Sequence, residues 1–114
     1  MSNSNGNTKF YLKKHARSDI AQIRSYTIKN WGDAQWQIYK QYLLQKFQNL
    51  ANNPDIGITI DEISPNAFKF PLNEHVIYYL RRNKDIVIVG VLSASMSPEK
   101  HLRRKQDVID ETNG

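Results

Sequence analysis

The sequence predicts an α+β fold in which an N-terminal helical hairpin packs on a small antiparallel β-sheet and a short C-terminal helix follows. Three observations carry this prediction. Apolar residues recur at three- and four-residue steps through the first half of the chain, which is the period of one helix face. From Phe68 onward the pattern changes to alternation and to β-branched or aromatic runs, which suit strands. Only Gly32-Asp33 separates the two helical stretches, a link so short that the helices must run antiparallel.

The first element is a strand over residues 9–13, where charged and apolar residues alternate around Phe10 and Leu12. From Ala16 the period lengthens, and Ala16, Ile20, Ile23, Thr27 and Trp31 line one face of a helix. Gly32 ends that helix as its C′ residue, because glycine enters the left-handed region without a steric penalty. Asp33 reads as the N-cap of the next helix, whose stripe Trp36, Tyr39, Leu43, Phe47 and Leu50 continues for about five turns until Pro54. The sheet follows with Phe68 and Phe70 alternating around Lys69, then residues 75–80 and 85–92, joined by the polar turn Arg81-Arg82-Asn83-Lys84. That turn has the length of a connection between antiparallel neighbours. The run from 86 to 92 is apolar on both faces, which identifies either a central strand covered on each side or a strand covered by a partner. Ser97-Pro98-Glu99 has the form of an N-cap, an N1 proline and an acidic first turn, so a last helix is expected there. The expected core includes Trp31, Trp36, Leu43, Phe47, Val76, Tyr78, Ile88 and Leu92.

The chain has 114 residues, and 16 Lys and Arg against 11 Asp and Glu give a formal charge of +5. A basic balance favours an acidic partner, whether nucleic acid, an acidic protein surface or an anionic membrane. Without cysteine there is no disulfide framework and no thiolate metal site, and the cytoplasm is the natural compartment. Residues 1–8 read as a disordered leader, 9–102 as the folded domain and 103–114 as a basic helix end with a frayed tail. The leader lacks the basic and apolar regions of a signal peptide. No apolar run approaches the roughly 18 residues of a membrane span.

Candidate chemistry is sparse. A ribonuclease would need a proton acceptor, a proton donor and cations converging on one phosphate, and the histidines are His15, His75 and His101. Their plainer readings are a solvated or capping residue before a helix, a backbone-binding residue at a strand end, and a residue on an exposed basic helix. Tyr78, Tyr79, Arg81 and Arg82 form a candidate phosphate patch beside a strand end. The competing reading packs one tyrosine under the helices and leaves the arginines to solvate a turn. Lys69, Tyr79, Arg81 and Arg82 are also candidates for a basic patch that meets a partner. No histidine pair has metal-ligand spacing, and Asp61-Glu62 alone is too little for a metal site. The glycines are isolated, so no phosphate-cradling loop is encoded. The run Lys100-His101-Leu102-Arg103-Arg104-Lys105 is either a solvated helix face or a contact for an acidic target.

Specific words in the sequence sharpen this reading. Trp31-Gly32, Leu50-Ala51-Asn52-Asn53-Pro54-Asp55-Ile56-Gly57, Asp61-Glu62-Ile63, His75-Val76-Ile77-Tyr78-Tyr79, and Val91-Leu92 through Met96 to His101-Leu102 together resemble the ParE branch of the ParE/RelE toxin superfamily. The resemblance spans residues 9–102. It implies a curved antiparallel sheet under two helices, no cofactor, neutralisation by a ParD-like antitoxin and DNA gyrase as target, in the setting of plasmid maintenance or stress response. Lys100, His101, Arg103, Arg104 and Lys105 are then the expected target contacts. An antitoxin tail is expected to wrap the toxin, with apolar anchors on the hairpin and sheet and acidic residues opposite Lys and Arg. Three positions depart from the family pattern: Phe68 stands where many relatives place arginine, and Gly90 and Ser93 stand where arginine and histidine are common. A RelE-like mRNA endoribonuclease and an attenuated toxin that only binds antitoxin are the alternatives.

Overall fold

The computed structural model describes residues 8–94. The expected C-terminal helix and the basic run 100–105 lie outside the described residues. Strand β1 (Lys9–Leu12) leads into helix α1 (Lys14–Trp31), helix α2 (Asp33–Asn52) and a 3-10 turn at Pro54–Ile56. Strands β2 (Ile58–Thr59), β3 (Ala67–Leu72), β4 (His75–Arg81) and β5 (Asp85–Ser93) complete the chain. The sheet order is β1-β5-β4-β3-β2. Neighbours from β2 to β5 are antiparallel, whereas β1 runs parallel to β5. The sheet is therefore mixed and not wholly antiparallel, because the strand that precedes the helices returns beside the last strand.

A single residue joins the helices. Gly32 has φ 95°; its N–H donates to Ile28 O at 3.0 Å and its carbonyl accepts from Trp36 N–H at 3.3 Å. It thus closes α1 and opens α2 at a positive φ that glycine adopts without strain. The expected aspartate cap is not formed, because Gly32 occupies the cap position and Asp33 is the first helical residue. There its charge still favours the positive end of the helix dipole.

The stripe of α2 is buried as expected, with Trp36, Leu43, Phe47 and Leu50 in the core and Tyr39 half-buried against it. On α1, Ala16, Ile23 and Thr27 are buried, but Trp31 is 70% exposed. Four residues of ideal helix rotate Trp31 about 40° past Thr27, and the chain turns away at Gly32 before anything covers the ring.

Strand β5 lies inside the sheet between β1 and β4, one of the two readings that its doubly apolar sequence allowed. Tyr78 pairs with Gly90 but Tyr79 pairs with Ile88, so Val89 is an extra residue, a β-bulge. The bulge changes the parity of the strand. Ile86, Ile88 and Val91 join the core beneath the helices, while Val87, Val89 and Leu92 join a second cluster with Ile60, Ala67 and Tyr78 on the opposite face. Both faces of β5 are buried within the chain, which selects the first of the two readings, a central strand covered on each side.

Tyr79 anchors the segment between the hairpin and the sheet. Its hydroxyl donates to Pro54 O at 2.7 Å and accepts from Gly57 N–H at 3.1 Å. A Cβ placed on Gly57 would lie 2.3 Å from that oxygen. Gly57→Ala is therefore expected to destabilise by about 1–3 kcal/mol, the usual range for overpacking, read as a lower denaturation midpoint. An unchanged midpoint would mean that the tyrosine ring shifts without resistance.

Candidate functional site

A groove of about 1340 Å³ runs between α1, the start of α2, the β3–β4 turn and the end of β5. Its aromatic lining is Tyr26, Trp31 and Tyr39. Asp19, Glu74 and His75 supply its titratable groups beside these rings, and Val91 through Ala94 form its sheet end. Tyr26 is 65% exposed and Trp31 is 70% exposed, so two large rings of α1 stand open to solvent here.

Tyr39 and His75 form the best-defined polar pair of the groove. Their hydroxyl and Nδ1 atoms are 2.9 Å apart, and the rings are in tilted contact with centroids 5.9 Å apart. Burial, then the Glu74 carboxylate and Tyr42, push the Tyr39 hydroxyl up to about 12. Burial lowers the His75 pKa, with Glu74 acting in the opposite sense. Tyr39 therefore keeps its proton and is hydrogen-bonded to the imidazole of His75.

This pair has a consequence for pH. The folded-state pKa of His75 lies below its ordinary value of 6.5, so as pH falls the unfolded chain takes up this proton first. The His75 contribution to stability is thus fully present above about 6.5 and is lost as pH falls from there towards the depressed folded value. Denaturant midpoints measured between neutral and mildly acidic pH are expected to fall, and His75→Gln is expected to flatten that slope. An identical slope in the variant would assign the effect to other groups.

Asp19 was not among the residues that sequence reasoning singled out. It is 7% exposed on the buried face of α1, and its Oδ2 accepts the Val91 N–H at 3.0 Å. Val91 stands in regular register with Ile77 of β4, but β1 stops at Leu12 opposite Ile88, and beyond that end the Asp19 carboxylate takes the place of a strand partner for the Val91 amide. A signal was available in the sequence: Asp19 lies three residues after Ala16 and four before Ile23, inside the apolar stripe.

The expected basic patch does not assemble as one surface. Tyr79 is 1% exposed and belongs to the core, stacked on Phe68 with centroids 5.3 Å apart. Arg81 is on the helix side, ion-paired with Asp55 and lying 5.5 Å from the centre of the Phe68 ring. Arg82 instead binds Asp85 through two hydrogen bonds at 2.6 and 3.0 Å and lies over Tyr11. Lys69 alternates with Phe68 and Phe70, which pack under the helices, so it belongs to the other face. Tyr78 is also buried, in the second cluster. Burial raises the pKa of both adjacent tyrosines.

His15 lies in the first turn of α1 and His75 at the start of β4; the structure does not bring them together. Among the described residues, no group of three or more His, Cys, Asp and Glu is placed to hold a metal ion. No described helix is long and apolar enough to cross a membrane. His101 and the cations Lys100, Arg103, Arg104 and Lys105 lie outside the described residues.

Comparison with known proteins gives three consistent results. Residues 10–98 match the model of the ParE toxin family of type II toxin-antitoxin systems, parDE. Toxin ParE1 of Caulobacter vibrioides is 26% identical over 93 residues, covering 82% of this chain and 96% of that protein. A solved chain from the chromosomal ParDE system of P. aeruginosa superposes with a TM-score of 0.64 at 13% identity, covering 76% of this chain and 96% of that one. At that identity the likeness speaks for the fold.

Proposed function

The chain belongs to the ParE toxin family of type II toxin–antitoxin systems, and from that membership we propose that it poisons DNA gyrase and is held inactive by a ParD-like antitoxin. The family match over residues 10–98 carries this reading, because it takes in both helices and the sheet. The structural relative comes from a ParDE pair, which supports an antitoxin as the partner. The toxin acts by gripping its target and not by catalysis: His75 is committed to Tyr39, and His15 stands on another element. The basic run 100–105 suits an acidic target surface and engages gyrase through Lys100, His101, Arg103, Arg104 and Lys105.

A purified-component assay tests this. Gyrase treated with the toxin is expected to lose supercoiling activity and accumulate cleaved DNA, and added antitoxin is expected to reverse both. Neutral residues in place of Lys100, Arg103, Arg104 and Lys105 are expected to slow association and make it less sensitive to salt, while His75→Ala has a lesser effect. Intact gyrase activity beside cleavage of messenger RNA would overturn the proposal in favour of a RelE-like ribonuclease. Antitoxin binding with neither activity would overturn the gyrase assignment and leave an attenuated toxin.

A further inference from the structure

Among the described residues, the lining of the groove beside α1 is acidic, whereas the whole chain is basic. The chain carries a formal charge of +5, yet no lysine or arginine lines the groove among its described residues, and its charged lining consists of Asp19 and Glu74. Aromatic faces accompany these carboxylates: Trp31 and Tyr26 are largely exposed, and Tyr39 keeps its proton beside His75. An aromatic face attracts a cation through its quadrupole, most strongly when the cation is guanidinium and the ring is tryptophan. A carboxylate adds a charge-assisted hydrogen bond to the same group. The volume of about 1340 Å³ exceeds the roughly 300–1,000 Å³ of a small-molecule site and suits a segment of polypeptide.

We propose that this groove receives a basic segment of the antitoxin, with an arginine or lysine set against Trp31 and Tyr26 and paired with Glu74. The inference rests on the reading that an antitoxin binds this chain. It adds a polarity to the contact: a cationic anchor of the partner enters the groove, while acidic residues of the same partner meet the toxin's exposed cations elsewhere. Asp19 is already bound to the Val91 amide, so Glu74 is the direct partner. This arrangement selects against an antitoxin that presents a carboxylate here, since like charges would face each other across a partly desolvated groove.

Two measurements on the full-length chain test the chemistry and the occupant separately. In the first, N-acetylargininamide is titrated against the protein while the Trp31 indole signal is followed by NMR, with the neutral isostere N-acetylcitrullinamide as control. The arginine probe is expected to shift Trp31 in a saturable way, at least fivefold more strongly than citrulline. Trp31→Ala removes the reporter, and Glu74→Gln is expected to weaken the response severalfold; equal responses to both probes would overturn the proposal. In the second, p-benzoylphenylalanine at position 26 is photo-crosslinked in the toxin–antitoxin complex. A crosslink to a Lys- or Arg-bearing antitoxin segment is expected, with Trp31→Ala and Glu74→Lys each weakening antitoxin binding about tenfold at an unchanged melting temperature. Crosslinks to an acidic antitoxin segment, to residues 100–105 of the chain itself or to a second toxin copy would overturn it while the antitoxin reading stands. Failure of any complex to form would overturn the antitoxin reading itself, a result that the NMR titration does not depend on.

Discussion

Replacing Phe68 by arginine is expected to lower the melting temperature by roughly 15 °C or more, although arginine is the residue that many relatives of the resembled family carry there. Phe68 is 5% exposed and stacks on Tyr79 with a 13° interplanar angle. Removing a buried phenyl ring alone costs about 3–5 kcal/mol. The new guanidinium would also stand where Arg81 already lies over the ring, 5.5 Å from its centre and held by Asp55, so like charges would meet beside the core. Against a typical total stability of about 5–15 kcal/mol, the variant would retain little folded population when warmed. Phe68→Leu keeps an apolar group in place and is expected to cost only about 1–2 kcal/mol. Thermal unfolding followed by circular dichroism decides between these outcomes. If the arginine variant melts within a few degrees of the parent protein, the stack is not part of the core's stability. The result also bears on function, because a loss of toxicity in this variant would report unfolding and not a missing contact.

The elements that were legible in the sequence are those set by local periodicity. The stripe from Trp36 to Leu50 predicts α2 because a rigid helix presents every third or fourth residue to one surface, and Trp36, Leu43, Phe47 and Leu50 of that stripe are buried. The doubly apolar run of β5 likewise announced a strand covered on both faces, by the chain or by a partner. What periodicity does not encode is pairing between distant segments and the end of a stripe. The parallel match of Phe10 with Ile86 joins residues with no local relation, so an antiparallel sheet was the expectation. Trp31 continues the helical step of α1 but lies beyond the last covered turn, so its exposure depends on where α2 departs. The groove follows from those two features together: the exposed end of α1 makes its aromatic wall, and the bulged end of β5 makes its floor. Position 68 shows the same limit, because the sequence marks an absent cation while the fold supplies a neighbouring one, Arg81, above the buried ring.

Asp19→Ala is expected to destabilise the protein by about 3 kcal/mol and to loosen the end of β5. The bulge at Val89 moves Val91 to the helix face, and the Val91 N–H then donates to Asp19 Oδ2 at 3.0 Å in a buried setting. A hydrogen bond to a charged acceptor contributes about 1.5–3 kcal/mol, and a buried donor left without an acceptor costs about 1–3 kcal/mol. Alanine fits the helix well, so the loss arises at the strand and not from helix propensity. Asp19→Asn retains a carbonyl oxygen that can accept from the amide, and about 1 kcal/mol is expected for the weaker, uncharged bond. Hydrogen exchange locates the effect: the Val91 amide is expected to lose protection in the alanine variant and to keep most of it in the asparagine variant, while amides in the middle of α2 change only with global stability. Equal destabilisation by alanine and asparagine, with Val91 still protected in both, would show that the carboxylate acts through its charge and not as the acceptor that holds the end of β5.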